Sequence, residues 1–179
     1  MSGRPPFTYT VIEARSDGGT HIVIGSIPTC PADIETLHGL GVFGILSLTR
    51  RDIRDCPSIA DALKSRVTDG FGNQFPFMDV GHYPIPDGGI ADEKTMTDAV
   101  DWIESYSQRV PVYVHCRGGI GRSGTILAAY FMRYQHATLA QALDILRPRR
   151  NYEGNATAAD MGGVQRVWLE ALEKQVHSV

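Results

Sequence analysis

The sequence predicts an α/β fold with a central, mostly parallel twisted sheet of about four to five strands and helices on both faces. Two observations lead to this prediction. Continuous apolar runs such as residues 42–48 suit strands that are buried on both faces of a parallel sheet. Between these runs lie segments whose apolar residues recur at helical spacing. Strands that alternate with helices in this way are typical of parallel sheets.

The strands fall mainly in the first half of the chain. Residues 1–8 are expected to be a flexible tail, ahead of a single domain over residues 9–179. A turn at residues 16–19 joins the first two strands, which predicts a hairpin. In order, the predicted strands are residues 8–14, 21–28, 42–48, a short strand within 72–89, and 111–115.

The predicted helices separate and follow these strands. They are residues 31–40, broken helical patches between 50 and 67, residues 92–108, 123–135 and 138–146, and a last helix near the C-terminus. Pro57 is expected to break the patches, Asp92 to cap the helix that it opens, and Thr138 and Gln141 to form a capping box. The helix at 123–135 is apolar nearly all round, which predicts burial. The last helix carries apolar residues on one side, namely Val164, Val167, Trp168, Ala171 and Leu172.

Composition excludes several classes of protein. The chain has 42% hydrophobic and 21% charged residues and a net charge of −3, which argues against a general nucleic-acid or membrane binder. It has no apolar run of the roughly 18 residues that span a bilayer, and no apolar signal-peptide core. Three cysteines at unrelated spacings indicate a reducing cytoplasm, with Cys30 and Cys56 as structural residues. No cysteine or histidine has metal-ligand spacing, so we expect no metal or cofactor.

The stretch "VYVHCRGGIGRSG", residues 112–124, predicts an anion site. It reads in order as a strand, a glycine-rich turn and a buried helix. Backbone amides of such a turn, together with the helix N-terminus, bind an anion. The glycines permit a tight backbone and remove side chains that would block the anion.

The reactive side chains of this stretch predict covalent chemistry at phosphorus. The positive field that holds a phosphate also stabilises a thiolate, so we expect Cys116 to be an activated nucleophile. Arg122 can contact two phosphate oxygens, and Ser123 can donate a hydrogen bond to the sulfur. His115, on the other side of the strand end, is expected to order the loop rather than to react.

The string "VHCRGGIGRSG" resembles the signature of the cysteine-dependent protein tyrosine phosphatases, in which His-Cys, five residues and Arg-Ser/Thr form the phosphate loop. The resemblance extends loosely over residues 20–170 and implies a protein tyrosine phosphatase-like fold. It implies that Cys116 is the nucleophile and that Arg122 binds phosphate. It also implies that the loop is lined by the amides of Arg117, Gly118, Gly119, Ile120, Gly121 and Arg122.

A second stretch, "YPIPDGGIAD", resembles the general-acid loop of this family and makes Asp87 the candidate acid. Asp87 lies 29 residues before Cys116, a separation typical of the small dual-specificity branch. "GGIGRS" together with "PIPDGG" is similar to the kinase-associated phosphatases that act on cyclin-dependent kinases. Two other upstream carboxylates have simpler interpretations, since Asp92 suits a helix cap and Asp79 a turn or a salt bridge.

Other positions carry two interpretations. Gln165 matches the glutamine that positions water in some family members, and an ordinary packing or surface role is equally open. For Arg147, Arg149 and Arg150, a solvated helix end is favoured over the lining of a cleft for acidic partners. The phosphate loop lacks the two lysines of phosphoinositide phosphatases. The chain also lacks the phosphotyrosine-recognition motif of the large classical enzymes, which argues against strict tyrosine specificity.

Together these features predict a protein phosphatase that acts through a phosphocysteine intermediate. Phosphotyrosine is the expected substrate, with phosphoserine and phosphothreonine as further candidates. The expected partner is a phosphorylated protein, with no nucleic acid and no membrane, and the oligomeric state is left open. The alternatives are a phosphatase of RNA 5′ ends, nucleotides or inositol phosphates, a sulfurtransferase, and an inactive phospho-binding module. A sulfurtransferase has no need of a separate acid such as Asp87.

Overall fold

A five-stranded sheet forms the centre of the structure, a computed structural model that describes residues 6–12, 20–64, 67–68, 74–75 and 78–177. The strands are β1 (Tyr9–Ile12), β2 (Ile22–Gly25), β3 (Gly44–Ser47), β4 (Val67–Thr68), β5 (Gln74–Phe75), β6 (Asp79–His82) and β7 (Val112–His115). The main sheet has the order β1-β2-β7-β3-β6, and β4 and β5 form a separate pair. In the main sheet only β1 runs antiparallel to its neighbour, which confirms the predicted mostly parallel sheet.

Helices cover both faces of this sheet. They are α1 (Pro31–Gly39), α2 (Pro57–Leu63), α3 (Glu93–Ser107), α4 (Gly121–Gln135), α5 (Leu139–Leu146) and α6 (Gly163–Val176), and a 3₁₀ turn lies at Ile53–Asp55. None of the helices within the described ranges is long and apolar enough to cross a bilayer.

Side chains that alternate along the strands divide the core into two layers. Val23, Ile45 and Tyr113 point to one face and pack with the apolar residues of α1 and α2. Their neighbours in sequence, such as Ile24 and Val114, point to the other face and pack with α3 to α6. Helix α4 is buried along most of its length, as its apolar sequence predicts. The phosphate loop therefore follows the central strand β7 and precedes the most buried helix.

Several predicted boundaries differ from the structure. The strand predicted at 42–48 is β3 at Gly44–Ser47, and Pro57 begins α2 instead of breaking a helix, since the first helical turn needs no proline N–H. The turn predicted at residues 16–19 lies outside the described residues. The predicted caps are confirmed: Asp92 Oδ1 accepts a hydrogen bond from Thr95 N at 3.0 Å, and a capping box opens α5.

The apolar side of the last helix is exposed at three positions. Val164 and Val167 are 57% and 66% exposed, and Ala171 is exposed as well. The inward direction of α6 is set by Gln165 and Leu169, which are both buried. On a helix, positions 164 and 167 lie roughly 100° and 200° around from position 165, so an inward Gln165 turns both valines outward.

Candidate active site

The phosphate loop begins where β7 ends and closes into α4. Cys116 follows the last residue of the strand, is 3% exposed, and lies at the start of the loop. Ile120 is the N-cap of α4, and Gly124 N donates a hydrogen bond to its carbonyl oxygen at 2.7 Å. The helix N-terminus therefore faces the same point as the cysteine, and its partial positive charge favours an anion there.

Hydrogen bonds on the outside of the loop fix the direction of its peptides. Ile27 N donates to the carbonyl oxygen of Arg117 at 3.1 Å. The carbonyl oxygens of Gly118 and Gly119 accept bonds from the Arg149 guanidinium at 2.9 Å and 3.4 Å. In a trans peptide the N–H points opposite to the C=O. The next three amides, those of residues 118–120, consequently point to the inside of the loop, where an oxyanion can accept from them.

Gly119 is required by the space available to the loop. Its φ is +71°, in the region that favours glycine, and an added Cβ would lie 2.4 Å from the carbonyl carbon and oxygen of Gly25. Gly118 differs, because a Cβ there would meet nothing within 4 Å. The tight backbone geometry predicted for the loop thus depends on one glycine in particular.

Competing effects act on the Cys116 thiol. Burial raises its pKa, but the hydroxyl and amide of Ser123, the charge of Arg122 and the amide of Ile120 together lower it below the usual value for cysteine. The Ser123 hydroxyl is fully buried beside the sulfur, and it has no hydrogen bond of normal geometry to any other residue in the described ranges. The sulfur of Cys116 is therefore the group to which this hydroxyl can donate a hydrogen bond. The lowered pKa favours the thiolate form of Cys116.

Arg149 is buried under the phosphate loop, which corrects the solvated helix end predicted for it. The side chain is 2% exposed, whereas Arg147 and Arg150 are exposed as predicted. Besides its bonds to the loop carbonyls, Arg149 Nη2 donates to Thr8 Oγ1 at 3.1 Å. Burial lowers the pKa of Arg149, and the nearby Tyr113 and Cys116 oppose that effect. The burial of Arg149 was not predicted because a sequence contains no sign of a contact 30 positions away.

His115 lies beneath the loop and is fully buried. Burial lowers its pKa to about 4, so the ring is neutral at physiological pH. A neutral imidazole has one N–H, and Nδ1 lies 3.1 Å from the carbonyl oxygen of Cys116, to which it can donate. This contact links the ring to the backbone of the nucleophile, and full burial keeps the ring away from solvent.

Asp87 lies at the mouth of the site, on the loop between β6 and α3. Its Oδ1 is 2.9 Å from Arg122 Nη2, and its side chain is 80% exposed. Arg122 Nη1 also donates to the carbonyl oxygen of Ile85 at 3.2 Å, so the loop is attached to the arginine at two points. The other carboxylates have different partners: Asp92 caps α3, and Asp79 Oδ2 accepts a bond from the Tyr106 hydroxyl.

Gln165 connects the acid loop to the start of α6. Its Nε2 donates to the carbonyl oxygen of Gly89 at 3.1 Å, and its Oε1 accepts from Gly162 N at 3.0 Å. The side chain also lies against the phosphate loop, because a Cβ added at Gly121 would be 3.2 Å from Oε1. It is buried, so the surface role left open for it is excluded.

These groups share one pocket of about 480 Å³. Cys116 and Arg122 line it together with Asp87 and Gln165. Its outer walls are formed by Ser26, Ile27 and Thr29, which follow β2, and by Asn151, Tyr152 and Ala156, which lie between α5 and α6. The predicted site residues other than Gly119 and Ser123 thus line one cleft, with outer walls that the sequence did not identify.

The other two cysteines lie outside this pocket. Cys30 precedes α1 and Cys56 precedes α2, and all three cysteines are free thiols. Cys56 is exposed, which corrects the structural role predicted for it, since it contributes to no core. The Ser58 hydroxyl, with the amides of Ile59 and Ser58, lowers its pKa. Among the described residues, no three His, Cys, Asp or Glu side chains are grouped so that they could hold a metal ion.

Solved structures with the same architecture identify the fold. A kinase associated phosphatase whose catalytic-site cysteine is replaced by serine superimposes with a TM-score of 0.71 at 17% identity, and the match covers 99% of both chains. The active form of Tk-PTP gives a TM-score of 0.62 at 23% identity, over 90% of this chain and 96% of that one. PTPMT1 in complex with PI(5)P gives 0.67 at 16% identity, over 95% and 97%. The fold is that of the protein tyrosine phosphatases.

Sequence relatives define the family more narrowly. Residues 19–161 match the profile of the family described as "Swiss Army Knife protein, DSP-PTPase phosphatase domain" (PTP-SAK). Dual specificity protein phosphatase 1 of Mus musculus is 31% identical over 125 residues, which are 66% of this chain and 32% of that protein. MAP kinase phosphatase with leucine-rich repeats protein 3 of Dictyostelium discoideum is 45% identical over 73 residues, 38% of this chain and 8% of that protein. The chain belongs to the DSP-PTPase phosphatase domain family, and it spans about a third or less of these curated relatives.

Proposed function

We propose that this protein is a cysteine-dependent phosphatase that hydrolyses phosphotyrosine, and also phosphoserine or phosphothreonine, in protein substrates. One observation supports the proposal above the others. A buried thiol with a lowered pKa shares a 480 Å³ pocket with inward-facing amides, an arginine and a carboxylate at the mouth. This combination supplies a nucleophile, an oxyanion site and a proton donor, which are the three groups that phosphate-ester hydrolysis needs.

In the first step the Cys116 thiolate attacks phosphorus. The sulfur–phosphorus bond forms as the bond from phosphorus to the ester oxygen breaks, and the protonated Asp87 gives its proton to that oxygen. Arg122 and the loop amides bind the three non-bridging oxygens, on which charge is spread in the transition state. A phosphoryl group that enters the pocket competes with Asp87 for Arg122, which releases the carboxyl group towards the leaving oxygen.

In the second step water hydrolyses the phosphocysteine. Asp87 takes a proton from the attacking water, the new oxygen–phosphorus bond forms, and the sulfur leaves as a thiolate that the Ser123 hydroxyl stabilises. Gln165 Oε1 has a second lone pair beyond the one used by Gly162 N, and it lines the pocket. We assign it the positioning of this water.

The outer walls of the pocket support a protein substrate. Ile27 and Tyr152 both line the pocket and offer apolar surface to the ring of a phosphotyrosine. Arg117 and Ile120 stand in the loop where phosphoinositide phosphatases carry lysines. Arg117 keeps one positive charge, but Ile120 removes the other, so the loop has one charge fewer for a polyphosphorylated headgroup. These features favour a single phosphate on a side chain over an inositol phosphate or an RNA 5′ end.

The test compares release of phosphate from four substrates: phosphotyrosine and phosphothreonine peptides, an inositol phosphate and a 5′-triphosphate RNA. We expect the phosphotyrosine peptide to be hydrolysed fastest, and Cys116→Ser to remain folded and lose turnover. Faster hydrolysis of the inositol phosphate or the RNA would contradict the proposed protein substrate and identify that molecule as the substrate class. Full activity in Cys116→Ser would exclude the mechanism itself.

A matched pair of variants tests the acid. Asp87→Asn should lower kcat/KM for a phosphotyrosine peptide by roughly 10²-fold, because the leaving oxygen then departs without a proton. It should change kcat/KM little for an aryl phosphate whose leaving group needs no proton, because this ratio reports only the steps up to phosphoryl transfer to Cys116. Asp79→Asn makes the same chemical change at a carboxylate bonded to Tyr106 and should leave both rates close to wild type. An equal fall in kcat/KM for both substrates in Asp87→Asn would mean that Asp87 is not the acid.

A further inference from the structure

An apolar groove lies on the first half of α6, outside the catalytic pocket. It has a volume of about 640 Å³. The two valines that the helix turns outward, Val164 and Val167, form part of it and are 57% and 66% exposed. The complete lining is Ile90, Gly163, Val164, Val167, Trp168 and Ala171. Contiguous apolar surface of this kind, exposed next to a polar site, is typical of a binding surface.

This groove is continuous with the catalytic pocket along two segments of chain. Gly162 lines the pocket and Gly163, the next residue, lines the groove. On the acid loop, Gly88 lines the pocket and Ile90 lines the groove. Consecutive Cα atoms are about 3.8 Å apart, so the groove begins directly beside the pocket wall. A ligand held at Cys116 can therefore extend into the groove without leaving the surface.

Hydrogen bonds hold the groove in shape before any ligand binds. Gln165 joins the two segments through its bond to the carbonyl oxygen of Gly89 at 3.1 Å. The indole of Trp168 is fixed by its Nε1, which donates to Glu93 Oε2 at 3.1 Å. Because these side chains are already ordered, little conformational entropy is lost when the groove is filled.

We propose that the groove binds an apolar side chain of the phosphoprotein substrate, close in sequence to the phosphorylated residue. This rests on the proposed function, since the phosphate of the same substrate occupies the catalytic pocket. The groove would make this enzyme prefer phosphorylation sites with a neighbouring Leu, Ile, Met or Phe.

The charges around the groove favour a polypeptide over a membrane. None of the six lining residues is basic, and Glu93 lies at the edge through its bond to Trp168. Surfaces that bind anionic membranes combine apolar residues with Lys and Arg. A second copy of the chain is the remaining occupant, and on this face it would obstruct the adjacent catalytic pocket.

The experiment measures kcat/KM for phosphotyrosine peptides that differ at one position. Leu is compared with Ser at each of the three positions before the phosphotyrosine and at each of the three positions after it. In the wild type we expect Leu at one or two of these positions to raise kcat/KM by about tenfold, the effect of burying most of a leucine side chain. In Val167→Asn this preference should fall to about twofold or less, with kcat/KM for a small aryl phosphate unchanged.

A control variant on the same helix tests whether the loss of the Leu preference is specific to the groove. Gln175 is exposed on α6 and lies outside the groove, so Gln175→Asn should keep the full Leu preference. The aryl phosphate reports on the proposed function alone. If the wild type fails to hydrolyse it, the proposed function is wrong; if it is hydrolysed and no position prefers Leu, only the groove proposal is overturned.

Two further measurements test whether the groove binds a membrane or a second copy of the chain instead. Sedimentation with vesicles of neutral and of anionic lipids should leave the wild type in the supernatant. Binding that Val167→Asn abolishes would mean that the groove serves a membrane. Sedimentation velocity should give a mass that Val167→Asn does not change. A dimer that this variant dissociates would mean that a second copy covers the groove.

Discussion

Replacement of Arg149 tests whether the phosphate loop is held in shape from outside. The guanidinium makes three contacts, to the carbonyl oxygens of Gly118 and Gly119 and to Thr8 Oγ1, at 2.9, 3.4 and 3.1 Å. Arg149→Met keeps much of the side-chain volume and removes all three. The peptides after Gly118 and Gly119 are then free to turn, and their amides no longer converge on one oxyanion.

The structure gives the size of the expected effect. The bond to Gly118 is the shorter of the two bonds to the loop, and it has a charged donor, which makes such a bond worth about 1.5–3 kcal/mol. If this stabilisation is lost in the transition state, where the amides are fully used, kcat/KM should fall by roughly ten- to 150-fold. The longer bond to Gly119 at 3.4 Å adds less.

The assay is hydrolysis of an aryl phosphate, with urea unfolding as the measure of stability. Arg150 provides the control: it is the next residue, it is exposed, and its hydrogen bond to the carbonyl oxygen of Gly154 is long, at 3.5 Å. Arg150→Met removes the same charge and should stay within about twofold of wild type, in line with the small effects of surface substitutions. If folded Arg149→Met were as active as Arg150→Met, the loop would not depend on this support.

Three further predictions concern the loop and its sulfur. Gly119→Ala should lower the free energy of unfolding by urea by about 2–4 kcal/mol, because its φ is +71° and its Cβ would overlap β2, whereas Gly118→Ala should change it by less than about 1 kcal/mol. Ser123→Ala removes a hydroxyl that lowers the pKa of Cys116, so the acid limb of kcat/KM against pH should move to higher pH; an unmoved limb would contradict that role. Brief peroxide should inactivate the enzyme and a thiol reductant restore it, and Cys56→Ser should be equally sensitive. Protection by Cys56→Ser would assign the sensitivity to that exposed thiol.

Local patterns in the sequence were enough to predict the sheet and the phosphate loop. The continuous apolar run around β3 marks a strand buried on both faces, and the structure has it between β7 and β6. The string from His115 to Ser123 combines a strand end, three glycines and a helix start within a few residues. Because all of its parts are contiguous, their arrangement follows from the local backbone, and the structure brings them to one point.

Features that depend on distant contacts were not predicted. Arg149 resembles any arginine at a helix end until the chain folds and brings it under Gly118. The outward turn of Val167 follows from the burial of Gln165, which in turn depends on a carbonyl of the acid loop 76 positions earlier. The pairing of Asp87 with Arg122 also joins two loops that are far apart in sequence.

The central claim, that Cys116 carries the phosphoryl group, is tested most directly by trapping the intermediate. Asp87→Asn lacks the base that activates water, so an aryl phosphate that needs no acid should load the enzyme faster than water can release it. Rapid quenching followed by mass spectrometry of the digested protein should find a phosphoryl group on the peptide that contains Cys116. Single-turnover release of phosphate with no phosphorylated Cys116 at any time point would contradict the account.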